Sequence, residues 1–349
     1  MSQMKNKGQP NPILVEVIRG GVVESQHRGS MVAVNVEGEV IYSAGDMTQL
    51  IYPRSALKVL QILPLLELDG ASKLNLSPQQ ISLACASHNG TKVHLEAVEA
   101  WLAELELNAE DLECGPAMPV HETTMLDLVR AGGVESRVHN TCSGKHVGML
   151  SLAKLMGEST KGYSSYEHPT QQSWLKRLTA LSGVNMAEMV WDRDGCGMPA
   201  PQMPMDAFAR CWAQFAKPEN HEEKTARAMQ LVINSIAQHP EMIAGRERCC
   251  TAVIEATEGE VIVKTGAEGV FGGVIPKRGI GIALKIDDGA TRASEVALGS
   301  LLLALGVISK KQHTDLNPFF QTPLFNTQGF QTGEVRAASE AWYDLAQSI

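Results

Sequence analysis

The pattern of apolar and polar positions places β-strands near both ends of the chain. Short runs rich in β-branched residues, bounded by turn residues, are typical of strands. Glu37-Gly38 stands between two of these runs and is typical of a hairpin turn. The predicted strands are 13–18, 31–36, 39–42, 251–257, 260–264, 269–274 and 281–285.

The middle of the chain has apolar residues at helical spacing instead. One such stretch follows Pro53, and proline in the first turn is a helix-start signal. Pro64 is expected to end or kink this helix. The predicted helices are 54–63, 94–105, 124–131, 144–155, 171–182, 205–215, 221–237, 290–308 and, in the tail, 334–347.

The order of these elements predicts an α+β fold. Strands from the N- and C-terminal parts are expected to form one antiparallel sheet flanked by helices, with a mainly helical lobe inserted between them. We expect a single domain over 1–349, with a sheet lobe at about 12–66 and 248–349 and a helical lobe at about 67–247. An active site is expected in the cleft between sheet and lobe.

Composition narrows the classes of protein to which the chain can belong. Of 349 residues, 44% are hydrophobic and 20% charged, which is normal for a globular protein with a sizeable core. The net charge of −9, with no basic cluster larger than Lys310-Lys311, argues against a nucleic-acid partner. The longest apolar stretch, 301–308, is too short to cross a bilayer, so no membrane association is expected.

The N-terminal segment and the cysteines predict a cytoplasmic location. Residues 1–12 are polar and lack the apolar region and cleavage site of a signal peptide. Seven cysteines is an odd number, which is most simply read as a set of reduced thiols.

Three short motifs carry the candidate chemistry. They are S-x-x-K at Ser55 and Lys58, S-x-N at Ser87-His88-Asn89, and K-T-G at Lys264-Thr265-Gly266. Each motif alone is weak, and S-x-x-K also occurs at 151–154 and 173–176, where it is interpreted as solvated helix surface. All three together, in this order, are typical of enzymes that attack an amide with a serine and use lysine as the base.

Two cysteines next to glycines form a second candidate group. Cys142 precedes Ser143-Gly144, and Cys196 lies between Gly195 and Gly197. Two thiolates could hold a soft metal such as zinc, completed by Lys145, His146 or Asp194. The alternative is a pair of buried thiols, because no C-x-x-C motif is present.

At these residues the chain resembles the asparaginase II family of rhizobial type. The resemblance runs from about Val15 to the C-terminus and is most specific at 52–58, 85–90, 139–146, 194–197 and 264–269. It implies the serine β-lactamase-like fold that glutaminases also use, and hydrolysis of L-asparagine to aspartate and ammonia. It further implies a homodimer, a zinc ion and no organic cofactor.

The resemblance also implies roles for individual residues. It implies two Ser–Lys pairs, Ser55 with Lys58 and Ser87 with Lys264. The zinc site that it implies lies next to the serines and is formed by Cys142, Lys145 and Cys196, with Asp194 nearby.

The hypothesis for the mechanism makes Ser55 the nucleophile and neutral Lys58 its base, with Ser87 and Lys264 relaying a proton to the departing ammonia. By analogy with the β-lactamase fold, the backbone amides of Ser55 and Ala267 would hold the oxyanion. The candidate substrate-binding residues are Arg54 and Thr265 for the α-carboxylate, Glu268 and His139 for the ammonium, and also His88 and Asn89.

Three other functions remain open from the sequence. A glutaminase or broader amidase differs by one methylene in the substrate, which is worth only about 1–3 kcal/mol in a pocket. A penicillin-recognising enzyme shares the Ser–Lys chemistry, although the predicted cytoplasmic location argues against it. A non-catalytic metal-binding or regulatory protein would need no intact Ser–Lys residues.

Overall fold

The computed structural model describes residues 10–338 and divides them into two compact units. The sheet unit comprises the described residues of Met1–Pro53, Met203–Ala216 and Thr265–Ile349. The helical unit comprises Arg54–Gln202 and Lys217–Lys264. That the whole chain is one domain stays a prediction.

The main sheet combines strands from both ends of the chain. Its strands, in spatial order, are β11 (Thr322–Phe325), β12 (Gln331–Ala337), β1 (Ile13–Arg19), β2 (Val22–Asn35), β10 (Ile280–Ile286), β9 (Val270–Ile275) and β8 (Ile262–Gly266). Strand β3 (Val40–Ala44) also pairs with β2, and the pairs from β11 to β9 are antiparallel. The predicted α+β fold class is therefore confirmed. The strands are β1 Ile13–Arg19, β2 Val22–Asn35, β3 Val40–Ala44, β4 Leu50–Ile51, β5 Trp191–Arg193, β6 Pro199–Pro201, β7 Met203–Pro204, β8 Ile262–Gly266, β9 Val270–Ile275, β10 Ile280–Ile286, β11 Thr322–Phe325 and β12 Gln331–Ala337.

Fifteen α-helices occur in the described part of the chain. They are α1 Lys58–Gln61, α2 Leu63–Glu67, α3 Gly70–Lys73, α4 Pro78–Ala84, α5 Lys92–Glu104, α6 Glu122–Arg130, α7 Ser143–Met156, α8 Pro169–Ser182, α9 Met205–Ala213, α10 Glu223–Gln238, α11 Pro240–Ala244, α12 Cys249–Ala256, α13 Thr291–Ala304, α14 Lys310–Asp315 and α15 Asn317–Phe320.

Helix α9 packs directly on the sheet because two glycines leave room for it. A Cβ at Gly272 on β9 would lie 2.0 Å from Nε1 of Trp212, and one at Gly281 on β10 would lie 2.3 Å from the carbonyl oxygen of Ala209. Both Phe208 and Trp212 are completely buried here. Burial of such large aromatic rings is a main source of stability in a core that has few of them.

The helical unit is organised around α7, which is buried along most of its length. Its residues from Ser143 to Ala153 are all shielded from solvent, and it contacts α2, α4, α5 and α8. Gly144 allows the start of α7 to approach the end of α4, since a Cβ there would lie 2.4 Å from the carbonyl oxygen of Leu83. This approach places Cys142 and Lys145 beside the loop that follows α4.

The predicted strand 251–257 is wrong, because this segment is helix α12. Thr251, Val253 and Ile254 are all buried in that helix. Periodicity alone cannot separate a short, continuous apolar run in a strand from one in a buried helix. Burial against neighbouring helices overrode the strand preference of the β-branched residues.

Two other predicted helices differ from the structure. The tail helix predicted at 334–347 is wrong at its start, where β12 runs to Ala337, and 339–349 lie outside the described residues. The stretch 54–63 is broken into a 3-10 turn, α1 and the start of α2. Pro64 occupies the first turn of α2, where its missing N–H costs nothing.

The predicted lobe limits also differ from the observed units. Residues 54–66 belong to the helical unit, whereas α9 belongs to the sheet unit because it packs on the sheet. Between residues 10 and 338, no helix has both the length and the apolar character needed to span a membrane.

Candidate active site

Lys58 begins a short helix directly after the turn that carries Ser55. Arg54–Leu57 form a 3-10 turn, and Lys58 is the first residue of α1 with its side chain completely buried. Ser55 is half-buried, and its hydroxyl makes no hydrogen bond to any of the residues that the structure describes. Among the described residues no hydrogen bond joins Ser55 to Lys58, and their pairing in catalysis stays a prediction.

Ser87 lies in a segment that is fixed by backbone hydrogen bonds on two sides. Its N–H donates to the carbonyl of Ile243 at 2.9 Å, and the N–H of Asn89 donates to Ala244 at 2.9 Å. From the other side, the N–H of His88 donates to Thr141 at 3.1 Å. These bonds hold the backbone on both sides of Ser87 and so fix the position of this residue.

Two buried lysine amines meet at the Ser87 hydroxyl. Nζ of Lys58 lies 3.0 Å from Oγ of Ser87, and Nζ of Lys264 lies 2.9 Å from the same oxygen. Both lysines are completely buried, whereas Ser87 is half-buried. The structure thus brings Ser87 and Lys264 together as one Ser–Lys pair and adds Lys58 to it.

The two lysines have different surroundings. Nζ of Lys58 also donates to the carbonyl of Ala86 and to Sγ of Cys142, the latter at 3.3 Å. Three acceptors around one nitrogen match the three protons of an ammonium group. Burial, together with the positive charge of Lys58, lowers the pKa of Lys264 to about 7. Lys264 is therefore the amine that can be neutral near neutral pH.

A thiol–amine cluster adjoins this arrangement. Sγ of Cys196 accepts a hydrogen bond from Nζ of Lys145, which is 2.9 Å away, and the Cys142 thiol interacts with the same sulfur. The interaction with Cys142 lowers the pKa of Cys196 well below its ordinary value, and the same interaction raises that of Cys142 to about 12. Cys196 is therefore the thiolate of the pair, and Cys142 keeps its proton.

Lys145 carries the positive charge that balances this thiolate. Burial by itself would lower the pKa of Lys145, but Cys196, Cys142 and Asp194 raise it above its ordinary value. All three cluster members are buried. Nζ of Lys58 contacts both Ser87 and Cys142, so it connects the amines at Ser87 to this cluster.

Arg54 and Asp194 form an ion pair that ties the Ser55 turn to the Cys196 segment. The guanidinium lies 2.6 Å from Oδ1 of Asp194, and the N–H of Gly195 donates to the same oxygen at 2.8 Å. Burial alone would raise the pKa of Asp194, but Lys145 and Arg54 outweigh it and lower that pKa. Arg54 has a φ of +53°, a conformation that a non-glycine residue adopts only where other contacts hold it.

The histidines predicted to bind substrate lie in different surroundings. His88 is completely buried, and its Nε2 lies 2.8 Å from Oγ of Ser143, which itself donates to the carbonyl of Val138. Burial lowers the pKa of His88 far below its ordinary value, so the ring is neutral. His139 is half-buried, and its buried Nδ1 has no hydrogen-bond partner in the described chain.

These contacts hold His88 and Asn89 in the interior of the helical unit, where both side chains are shielded from solvent. Asn89 is 2% exposed, and its amide donates to the carbonyl of Arg246. The ring of His88 joins the Ser87 segment to the start of α7 through Ser143. The motifs did not single out Ser143, because a serine at the start of a helix carries no catalytic signal of its own.

Three further predicted residues belong to the sheet unit. Thr265 directly follows Lys264, and its hydroxyl lies 3.2 Å from the carbonyl oxygen of Gly266. Ala267 and Glu268 occupy the turn between β8 and β9, where Glu268 has a φ of +61°. Their roles in oxyanion and substrate binding stay predictions.

The predicted metal ligands fit a soft metal in their chemistry. Two sulfur atoms and an amine lie together in a buried cluster, and one sulfur is already a thiolate. Lys145 would have to lose its proton before it could bind a metal. Among residues 10–338 there is no cluster of three or more His, Cys, Asp and Glu side chains arranged to hold a metal ion.

Comparison with solved structures finds β-lactamase-related proteins of low sequence identity. A β-lactamase from Sphaerobacter thermophilus is 15% identical, with 81% of this chain and 93% of that one covered and a TM-score of 0.43. A β-lactamase from Mycobacterium bovis is 11% identical, covering 80% and 95%, with a TM-score of 0.42. D-alanine carboxypeptidase AmpC from Burkholderia cenocepacia is 14% identical, covering 78% and 93%, with a TM-score of 0.38.

Comparison by sequence is more specific. No curated protein matches this chain. The model of the L-asparaginase II family, however, matches residues 15–337, which include every predicted catalytic and metal-binding residue. The chain therefore belongs to the L-asparaginase II family.

Proposed function

We propose that this chain hydrolyses the side-chain amide of L-asparagine to L-aspartate and ammonia through a serine acyl-enzyme. Membership of the family supports an amidohydrolase. The observation that carries the proposal is the Ser87 hydroxyl, held 2.9 Å from one lysine amine and 3.0 Å from another. A hydroxyl within hydrogen-bond reach of a neutral amine is the arrangement that Ser–Lys catalysis requires.

Lys264 is the base in this proposal. With a pKa of about 7, its amine is neutral in a large fraction of molecules near neutral pH and can accept the Ser87 proton. Lys58 holds the Ser87 hydroxyl in place and also donates to Ala86 and Cys142. This assignment departs from the sequence-based hypothesis, in which Lys58 was the base.

Ser55 is the proposed nucleophile, because it is the serine of the S-x-x-K motif and its hydroxyl is not occupied by another hydrogen bond in residues 10–338. Its oxygen attacks the side-chain amide carbon of asparagine while its proton passes to the Ser87–Lys264 pair. The same pair returns a proton to the departing ammonia. Water then hydrolyses the β-aspartyl ester and frees Ser55.

The backbone amides of Ser55 and Ala267 are proposed to stabilise the tetrahedral oxyanion. Arg54 is proposed to bind the α-carboxylate, with Thr265, and His139 and Glu268 to bind the ammonium. Because Arg54 is paired with Asp194, the substrate carboxylate would share that guanidinium with Asp194. Two carboxylates can bind one guanidinium, since it offers five N–H donors.

Cys142, Lys145 and Cys196 are proposed to hold zinc, with Asp194 nearby. When bound, the metal would supply a fixed positive charge in place of the Lys145 proton. In this proposal Ser55, Ser87 and Lys264 carry out the proton transfers and the attack on the amide. The cluster contacts this group through Cys142, whose Sγ lies 3.3 Å from Nζ of Lys58. We further propose that the chain acts as a homodimer in the cytoplasm.

The test is ammonia release from asparagine, followed by acid quench and identification of the acylated peptide by mass spectrometry. We expect a β-aspartyl group on the peptide that contains Ser55. Acylation of the Ser87 peptide would reverse the roles of the two serines, and Ser55→Ala protein with near-normal turnover would exclude the scheme.

A glutaminase is the second candidate, because one methylene separates the two substrates. Parallel assays with asparagine and glutamine distinguish them, and faster release from glutamine would favour the second candidate. Labelling by a fluorescent penicillin would instead indicate a penicillin-recognising enzyme. Zinc content without amidase activity would favour a non-catalytic metal-binding protein.

A further inference from the structure

Away from the candidate active site, a cavity with a volume of about 340 Å³ lies in the helical unit. Helices α2, α7, α8 and α10 line it. None of its lining residues belongs to the Ser–Lys pair or to the thiol–amine cluster. Its apolar wall is formed by Pro64, Leu68, Leu152, Met156 and Ala180.

The polar side of this cavity comes mainly from one face of α8. Ser173, Lys176 and Arg177 line the cavity together with Ala180, a spacing that places all four on the same side of the helix. Lys224 at the start of α10 adds a further cation. Apolar residues and basic groups therefore line the same space.

The charges at this cavity are unbalanced towards positive. Glu67 is its one acidic lining residue, and one of its oxygens accepts from Arg177 at 2.9 Å while the other accepts from Thr225 at 2.9 Å. Lys224 lies 3.3 Å from Glu222 in an exposed pair, which is worth little in water. Lys176 is exposed and forms no ion pair with any described residue.

Arg177 has donor capacity left over. Its Nε is buried and makes no hydrogen bond within residues 10–338, although the side chain as a whole is 23% exposed. The exposed part of this guanidinium forms its strongest hydrogen bonds with anionic acceptors. The cavity thus presents apolar side chains and the basic groups of Lys176 and Arg177 to the same ligand.

We propose that this cavity binds small monocarboxylates with an unbranched apolar body. The apolar part would contact Leu152 and Met156, and the carboxylate would meet Lys176 and Arg177. A cavity of this size suits a ligand on the order of ten non-hydrogen atoms, since such ligands are largely enclosed when they bind. The proposal is independent of the asparaginase activity.

The cavity also lies at the far ends of elements that carry the candidate site. Helix α7 begins beside Cys142 and ends at Met156, and α1 with Lys58 leads into α2 with Pro64. Because these helices connect the two places, a ligand in the cavity could also alter turnover. Binding to the cavity is therefore measured directly and separately from turnover.

The test uses octanoate, which has about ten non-hydrogen atoms, and the neutral octanamide, with binding to the full chain measured by calorimetry at low salt. We expect octanoate to bind at least ten-fold more tightly than octanamide, and more weakly as salt increases. Ala180→Trp, which fills the cavity, should abolish binding, and Lys176→Glu should weaken it at least ten-fold. Lys92→Glu is the control, because Lys92 is exposed on α5 and outside the cavity.

Three outcomes would overturn the proposal. They are absence of octanoate binding to the wild-type protein, equal binding of octanamide, and unchanged binding by Lys176→Glu. Circular dichroism and thermal unfolding check that the variants are folded. Lys176 is exposed on a helix surface, so Lys176→Glu keeps the test decisive if Ala180→Trp proves unstable.

Discussion

At the scale of single residues, burial determines which amine can act as a base. Lys58 and Lys264 are both completely buried and meet the same hydroxyl. Two ammonium groups this close would repel each other, so one of the two amines loses its proton more easily. The pKa of Lys264, lowered to about 7 by burial and by the charge of Lys58, assigns this role to Lys264, whereas the sequence-based hypothesis gave it to Lys58.

The pH dependence of catalysis tests this division. Lys264 must be neutral to accept a proton, and its pKa is about 7. We expect kcat/KM for asparagine to fall as the pH drops below about 7, by about ten-fold for each further pH unit. Lys264→Met should lower turnover by about a thousand-fold or more. A profile that is flat from pH 5 to 8 would contradict the assignment.

The thiolate of Cys196 is expected to stabilise the buried charge of Lys145. Cys196→Ser leaves that ammonium without its anionic partner, and breaking a buried pair in this way costs about 3–5 kcal/mol. Urea unfolding should show this loss in metal-free protein. The double variant with Lys145→Met removes both charges and should recover much of the stability, whereas strictly additive losses would argue against the pair.

At the scale of elements, the close approach of α7 to α4 aligns the site. Gly144 is needed there because a Cβ would lie 2.4 Å from a backbone oxygen, which cannot move aside as a flexible side chain can. The approach brings the Cys142 segment next to the segment of Ser87, with the backbone bond between His88 and Thr141 joining them. The packing of these two helices thus sets a distance between groups of the candidate site.

Gly144→Ala tests this packing. We expect a loss of about 1–3 kcal/mol in the free energy of unfolding, because the start of α7 must move outward. Turnover should fall with it, since Cys142 and Lys58 would separate. Gly115→Ala is the matched control, because a Cβ at Gly115 meets nothing within 4 Å. If Gly144→Ala were as stable and as active as Gly115→Ala, the close approach of α7 to α4 would not be required.

At the scale of the whole molecule, a buried amine makes stability depend on pH. The pKa of Lys264 is about 7 in the folded chain, against an ordinary value of 10.5. Between these values the unfolded chain binds a proton that the folded chain lacks, so the free energy of unfolding rises with pH. The contribution is about 1.4 kcal/mol for each pH unit.

Comparison of wild-type protein with Lys264→Met isolates this contribution. Other groups titrate in the same range, so the measurement is the difference between the two proteins in urea unfolding at pH 7.5 and at pH 9.5. We expect Lys264→Met to be the more stable at pH 7.5, and its advantage to shrink by about 2–3 kcal/mol at the higher pH. An advantage that does not change with pH would mean that the amine is not neutralised on folding.

The sequence by itself determined the fold class, the family and the candidate residues for the chemistry. Runs rich in β-branched residues marked strands at both ends, and the three motifs marked Ser55, Ser87 and the two lysines. These signals are local, because residue type and spacing within a short segment are enough to specify them. Where spacing was ambiguous, as in α12, the local signal failed.

Only the tertiary structure decided which of these groups touch. Lys58 is three residues from Ser55 in sequence, yet its amine bonds to Ser87 and Cys142, which come from distant segments. The pKa of Lys264 and the thiolate of Cys196 likewise depend on burial and on partners far away in the chain. Distances and desolvation arise from packing, and no spacing in a single sequence encodes them.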